Sequence, residues 1–216
     1  SGKTLGMIFH DFNDDNKIDI YVANDEVANF MFFNQGNGKF REVGANEGVA
    51  FDRMGKATGA MGLDASFPHQ DDSYVIAVGN FLEESTSMFV RQPSDIVFID
   101  ESFSEGIGPI SMKRVTFGLF FFDMDLDSKI DLFQVNGAID YDTTLVLEKG
   151  IMRDKYPELA FMSKSQLKEH GFGYEYKQAA DLFWNCGPDC DFPFLRVTNK
   201  TVPSLYQKIV GRGAAY

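Results

Sequence analysis

Three glycines, Gly6, Gly62 and Gly118, stand 56 residues apart, and Asn24, Asn80 and Asn136 keep the same interval. Phe33 and Phe89 follow it once more. A repeat of this length constrains the fold more than any local propensity, because each copy must be one small unit that buries its faces against its neighbours. Within the first copy, LGMIFHDF, IDIYVAN, NFMFFNQ and KFREVG are rich in β-branched and aromatic residues and are separated by turn residues. They read as four strands, the last two joined by the hairpin turn GNG. Four antiparallel strands in about 50 residues is the content of one propeller blade. The second copy repeats the order with MGLDASF, YVIAVGNF, SMFVRQ and IVFIDES, and Gly48 and Gly106, in EGVA and EGIG, mark the crossing to the next blade.

The third copy is stretched. Between QVNGAID and DLFWN lies an insertion over 141–180, in which PELAFMSKSQLKEH has the apolar spacing of a helix at Leu159, Phe161, Met162 and Leu167. LFWN then answers MFFN, and FLRVT answers FREV, with CGPDCDFP lengthening the hairpin. VGRGAAY, with Gly213, matches the strand that opens each earlier copy. The expected fold is all-β: a β-propeller segment of four-stranded antiparallel blades with one partly helical insertion. Blade one spans about 4–44, blade two 58–102, blade three 114–198, and 209–216 opens the next blade. Three blades and a strand do not close a ring, so the sequence reads as a piece of a longer chain.

Between the first two strands of copies one and three lie DFNDDNKID, 11–19, and DMDLDSKID, 123–131. Numbered from the first Asp, side-chain oxygens recur at positions 1, 3, 5 and 9: Asp11, Asn13, Asp15 and Asp19, then Asp123, Asp125, Asp127 and Asp131. Lys17 and Lys129, at position 7, have only a backbone carbonyl to offer. Carboxylates crowded this closely repel one another unless a cation sits among them. An all-oxygen set that wraps into an irregular shell favours Ca²⁺ over Mg²⁺, zinc or copper. An EF-hand is excluded, because position 12 is Val22 or Gln134 rather than Glu and the flanks read as strands. Position 6, where the chain turns sharply, is Asn16 or Ser128; Asn tolerates left-handed geometry and Ser resists it. The middle copy has Phe67, His69, Asp71 and Val75 at the ligand positions, so Phe67–Val75 is expected to be metal-free. Two Ca²⁺ sites follow.

The formal net charge of −12 argues against nucleic acid or an anionic membrane as the main partner and suits a carrier of cations. No apolar run reaches membrane-spanning length. Cys186 and Cys190, four residues apart in NCGPDC, read as a disulfide across a tight turn rather than half of a zinc site, since His10, His69 and His170 lie far off in sequence. SGKT at the start lacks the preceding Gly and the following helix of a phosphate-binding loop. No Ser or Cys stands in a recognisable nucleophilic triad. The stripe FGLFFFD, 117–123, reads as a strand buried between blades, and Asn199-Lys200-Thr201 is a glycosylation sequon of consequence only in a secreted eukaryotic chain.

GMIFHDFNDDNKIDIYVAND, NQGNGKFREVG, LFFFDMDLDSKIDLFQVNGAID and VGRGAAY resemble the FG-GAP/VCBS repeat propellers, and more narrowly the ASPIC/UnbV branch related to cartilage acidic protein. The resemblance covers most of the chain and is weakest over 141–180 and the CGPDCDFP tip. It implies a calcium-stabilised propeller, extracellular, cell-surface or periplasmic, in the same broad class as integrin α-subunit heads. Its members serve in adhesion or recognition of protein or glycan ligands rather than catalysis. By position it assigns metal binding to Asp11, Asn13, Asp15, Lys17, Asp19, Asp123, Asp125, Asp127, Lys129 and Asp131. The alternative expectation is a propeller-scaffold enzyme acting on polysaccharide, with Tyr156, Glu158, Lys164, His170 and Tyr174 of the insertion lining a cleft.

Overall fold

The computed structural model describes residues 2–138 and 176–214. The helix expected in PELAFMSKSQLKEH, and with it Tyr156, Glu158, Lys164, His170 and Tyr174, lies outside the described residues. The fold is all-β: three four-stranded antiparallel sheets. Sheet one orders β1 (Thr4–His10), β2 (Asp19–Asn24), β3 (Phe30–Gly36) and β4 (Lys39–Glu42). Sheet two orders β5 (Leu63–Ser66), β6 (Tyr74–Val78), β7 (Ser87–Arg91) and β8 (Ile99–Asp100). Sheet three orders β9 (Thr116–Phe122), β10 (Asp131–Asn136), β11 (Asp181–Asn185) and β12 (Phe194–Arg196). Strands in each sheet follow chain order, as in a meander. Among the described residues helix is limited to α1 (Gly108–Ser111) and a 3-10 turn at Pro203–Tyr206, each with Pro in its first turn, where the missing amide costs nothing.

The sheets pack face to face, an arrangement that fits propeller blades. One core, between sheets one and two, gathers Tyr21, Ala23, Met31 and Phe33 against Ile76, Val78 and Phe89. A second, between sheets two and three, sets Val75, Ala77, Met88 and Val90 against Leu119, Phe121, Leu132 and Phe183. The inner strands of sheet two, β6 and β7, thus bury both of their faces, which is why YVIAV is apolar throughout rather than alternating. FGLFFFD is buried on one face only: Leu119 and Phe121 are covered, whereas Phe120 and Phe122 are half-buried, Phe120 packing against both Phe122 and Phe133.

The recurring residues have mechanical roles. Each repeated Asn receives a threonine hydroxyl on Oδ1 and gives its amide to the chain ahead. Thr4 bonds Asn24 at 3.0 Å, Thr58 bonds Asn80 at 2.9 Å and Thr116 bonds Asn136 at 2.9 Å. Their amides donate to the carbonyls of Ala28, Ser85 and Ala179. Gly62 lies so close to Gly118 that an added Cβ would come within 2.8 Å of its Cα, so the spaced glycines let innermost strands approach. Gly48 and Gly106, with φ of 79° and 84°, tuck under the outer strand of the following sheet, where a side chain would strike the carbonyls of Phe98 and Phe194. The preceding carbonyls, of Glu47 and Glu105, accept the amides of Phe98 and Phe194 at 2.9 and 3.1 Å.

Two expectations change. Ile20 pairs with Phe32 and Ile76 with Phe89, so Phe89 is the counterpart of Phe32, and Phe33 that of Val90. One extra residue between β6 and β7 shifts the third strand, since a turn tolerates insertion where paired strands do not. From 209 the chain makes one isolated bridge, Gln178 with Ile209, rather than a strand, although Gly213 does lie against Gly118. A strand needs a bonded neighbour along its length, and among the described residues this stretch has the exchange between Ile209 and Gln178 and the Gly211 amide on the Asn136 carbonyl, too few to make a ladder.

Candidate metal centre

The two acidic loops join β1 to β2 and β9 to β10, at the same end of sheets one and three. Their hydrogen bonds correspond nearly atom for atom. Asp11, at position 1, accepts the amides of Asp15 and Asn16 on its two oxygens at 3.0 and 2.6 Å. Asp123 accepts those of Asp127 and Ser128 at 3.1 and 2.9 Å. These bonds fold each loop back on its first residue, the behaviour expected of an Asp at a turn. The curl forces φ above zero at positions 4 and 6 of both loops: 59° at Asp14 and 63° at Asn16, then 62° at Leu126 and 67° at Ser128.

Position 9 is the buried anchor. Asp19 and Asp131 are 0% and 1% exposed. Asp19 accepts the amides of Phe12 (3.0 Å) and Asn34 (2.7 Å); Asp131 accepts those of Met124 (2.8 Å) and Asn185 (2.7 Å). Burial pushes both carboxyls above the usual carboxylate range, the amide bonds oppose it, and nearby acids of the same loop add to it. A cation placed among them would reverse that pressure.

Sequence reasoning missed Asn34 and Asn185. Asn34 lies near the turn end of β3 and Asn185 ends β11; each donates its side-chain amide to the carbonyl of the residue before position 9 (Ile18 or Ile130, both at 3.1 Å) and accepts the amide of Gly36 or Gly187. The available signal was the pair of tripeptides NQG and NCG closing equivalent strands. Asn185 also donates to the carbonyl of Pro68, which ties the third sheet to the middle loop at 2.7 Å.

Among the described residues one group of three acids gathers: Asp123, Asp125 and Asp131, with oxygens all within 4.8 Å of one another. This buried-to-exposed triad could hold a metal ion, and its donors are all hard oxygens. Asp127 stands apart because both its oxygens are taken by Lys129, the backbone amide at 2.9 Å and the ammonium at 2.8 Å. Asp15 is held by Lys17 in the same way, at 3.0 and 2.9 Å. Those bonds hold the Asp15 and Asp127 carboxyls below their ordinary values. In loop one the third acid is replaced by Asn13, whose amide reaches Asp15 at 3.3 Å, so no acidic triad forms there.

The middle loop is built differently. Asp71 accepts the amide and hydroxyl of Ser73, both on Oδ1. Phe67, at position 1, packs edge-on against Tyr74. His69, at position 3, turns away to Glu105 at 3.2 Å. The hairpin after β11 carries the Cys186–Cys190 disulfide, Cα atoms 6.1 Å apart, and Gly187 at its tip lies 3.7 Å (from an added Cβ) from the Lys129 stem. Trp184, the one tryptophan of the chain, donates its indole N–H to Asp125 at 3.0 Å. No model of a known protein family and no curated protein matches the chain.

Proposed function

We propose that the protein is a calcium-binding propeller segment of the FG-GAP/VCBS type, in the ASPIC/UnbV branch, that presents its loops to a protein or glycan partner outside the cell or in the periplasm and performs no catalysis. Asp11, Asn13, Asp15 and Asp19 hold one ion and Asp123, Asp125, Asp127 and Asp131 a second, with the carbonyls of Lys17 and Lys129 completing the shells. The observation that carries this reading is the near-identity of two loops 112 residues apart, in donor positions, backbone curl and the buried ninth carboxylate. Random acidic turns do not share a hydrogen-bond plan. The disulfide supports an oxidising compartment.

The ion's contribution is electrostatic and mechanical. It offsets the repulsion among carboxylates and cross-links the first two strands of a sheet to the third through Asn34 or Asn185. Trp184 reports on one site alone, because its counterpart in sheet one is Phe33. Titrating calcium into metal-stripped protein is expected to change Trp184 fluorescence saturably and to raise the melting temperature. Asp127→Ala removes the fluorescence change and part of the thermal gain, whereas Asp15→Ala removes only part of the thermal gain. Superimposable melting curves in EDTA and in millimolar calcium would refute the proposal.

A further inference from the structure

The two position-7 lysines have no place in the ligand list except through their carbonyls, yet in both loops the ammonium is what the position-5 carboxylate actually holds. Lys17 Nζ lies 2.9 Å from Asp15 Oδ2 and Lys129 Nζ lies 2.8 Å from Asp127 Oδ2. The same lysine also supplies the backbone amide that fills the other oxygen, so each carboxylate is clamped from both sides by a single residue. Lys129 is steadied further. Its stem runs past Gly187 on the disulfide-closed hairpin, and its ammonium lies 5.8 Å from the Trp184 ring centroid. Its side chain is 26% exposed against 42% for Lys17. The acids that gather in the second acidic loop, Asp123, Asp125 and Asp131, do not include Asp127, the one that Lys129 hydrogen-bonds.

We propose that Lys17 and Lys129 are tethered competitors of the divalent ion: each ammonium occupies the position-5 carboxylate when no metal is bound and must release it before that carboxylate can join the shell. This rests on the calcium reading above and adds regulation to it. The consequence is twofold. A lysine in place keeps the metal-free loop folded by offsetting one carboxylate. The same lysine raises the calcium concentration at which the loop fills, because binding must break an ion pair and place a dication near an ammonium. Such a loop suits calcium-rich surroundings and stays ordered when calcium falls. Lys129, the better held of the two, imposes the larger handicap.

The test compares wild type with Lys129→Met, which keeps the stem and removes the charge, by calcium titration of Trp184 fluorescence and by melting in EDTA. The variant is expected to bind calcium about three- to tenfold more tightly, while melting at a lower temperature than wild type in EDTA but not in saturating calcium. Lys17→Met, followed by calorimetry, should show the same pattern with a smaller gain. Lys3→Met is the control. It removes an equal charge and an ion pair, Lys3 with Glu26, at the far end of β1, and should leave affinity within twofold of wild type. Equal or weaker calcium binding by Lys129→Met overturns the inference and leaves the calcium reading standing. A gain by Lys3→Met as large as that of Lys129→Met assigns the effect to net charge and also overturns it. A wild-type protein indifferent to calcium overturns both. Should Lys129→Met be unfolded in EDTA, refolding on addition of calcium supports the inference, and failure to refold counts against it.

Discussion

Ser128 adopts a φ of 67° that its loop requires and its side chain resists, and Leu126, 86% exposed, does the same at 62°. A left-handed backbone costs an ordinary residue about 1–2 kcal/mol, and Asn less than Ser. Nothing about Leu126 is recovered by burial, so the strain there serves only the curl that brings amides to Asp123. Ser128→Gly is therefore expected to stabilise the metal-free protein by about 1 kcal/mol in urea denaturation, with Asn16→Gly gaining less. A loss of stability in Ser128→Gly would mean that the hydroxyl has a partner the loop depends on. At this scale the sequence was most informative where side-chain type carries the role. Alternating oxygens locate the acids that gather in the loop, and Asn16 against Ser128 announces unequal strain. It was least informative where a backbone amide carries it. Asn34 and Asn185 serve chiefly through main-chain N–H groups that cap Asp19 and Asp131, and any residue but proline presents one. The lysine ammoniums were equally hidden, because a position valued for its carbonyl says nothing about where the side chain goes.

The loop between β5 and β6 shows what the repeat builds without the alternating oxygens. Its Phe67 joins an aromatic group with Tyr74 and His10, whose ring stacks on Tyr74 at 4.5 Å. Its His69 meets Glu105, a residue 4% exposed in the crossover to sheet three. Burial opposes charge on the imidazole. The Glu105 carboxylate, with Asp71 and Glu101 behind it, outweighs that and raises the His69 pKa above its ordinary value. The remaining neighbour is uncharged, the Phe194 ring. A base whose folded pKa is raised stabilises the fold fully below its unfolded value near pH 6.5, and that contribution fades as pH rises through the folded value. Melting temperature measured in calcium is therefore expected to carry a component that declines above about pH 6.5, and His69→Gln should flatten it. An unchanged pH profile in His69→Gln would place the pair outside the energetics of the fold. That Phe67 and Val75 bring no side-chain oxygen was plain in the sequence, but the contacts this loop makes were not. The partner, Glu105, lies 36 residues further on in a crossover, with no periodic pattern to link the two. The same limit explains Phe89. Spacing is strict on the innermost strands, where glycines touch, and drifts by a residue beyond β6, where the turn can absorb it.

In the whole molecule the three sheets are not equivalent. Leu5, Met7 and Phe9 point outward from β1 at 58%, 57% and 60% exposure, while the residues 56 further on, Met61, Leu63 and Ala65, are covered or partly covered. Within this chain sheet two is packed by a neighbour on both sides, and the strands of sheets one and three are also fixed at the loop end by the amide bonds to Asp19 and Asp131. The two acidic loops belong to sheets one and three, and the loop between β5 and β6 belongs to sheet two. Metal dependence is thus expected of sheets one and three, and it can be counted. An ion that binds only the folded state adds about 1.4 kcal/mol per tenfold rise in its concentration once well above its dissociation constant. Two independent sites give about 2.7 kcal/mol per decade, and one gives half that. Unfolding free energy measured by urea titration across buffered calcium is expected to approach the two-site slope in the wild type. It should fall to the one-site slope in either Asp15→Ala or Asp127→Ala, and to zero in the double variant. A wild-type slope of one site that only Asp127→Ala abolishes would restrict binding to the Asp123, Asp125 and Asp131 group and leave loop one, with Asn13 in place of an acid, held by Lys17 alone.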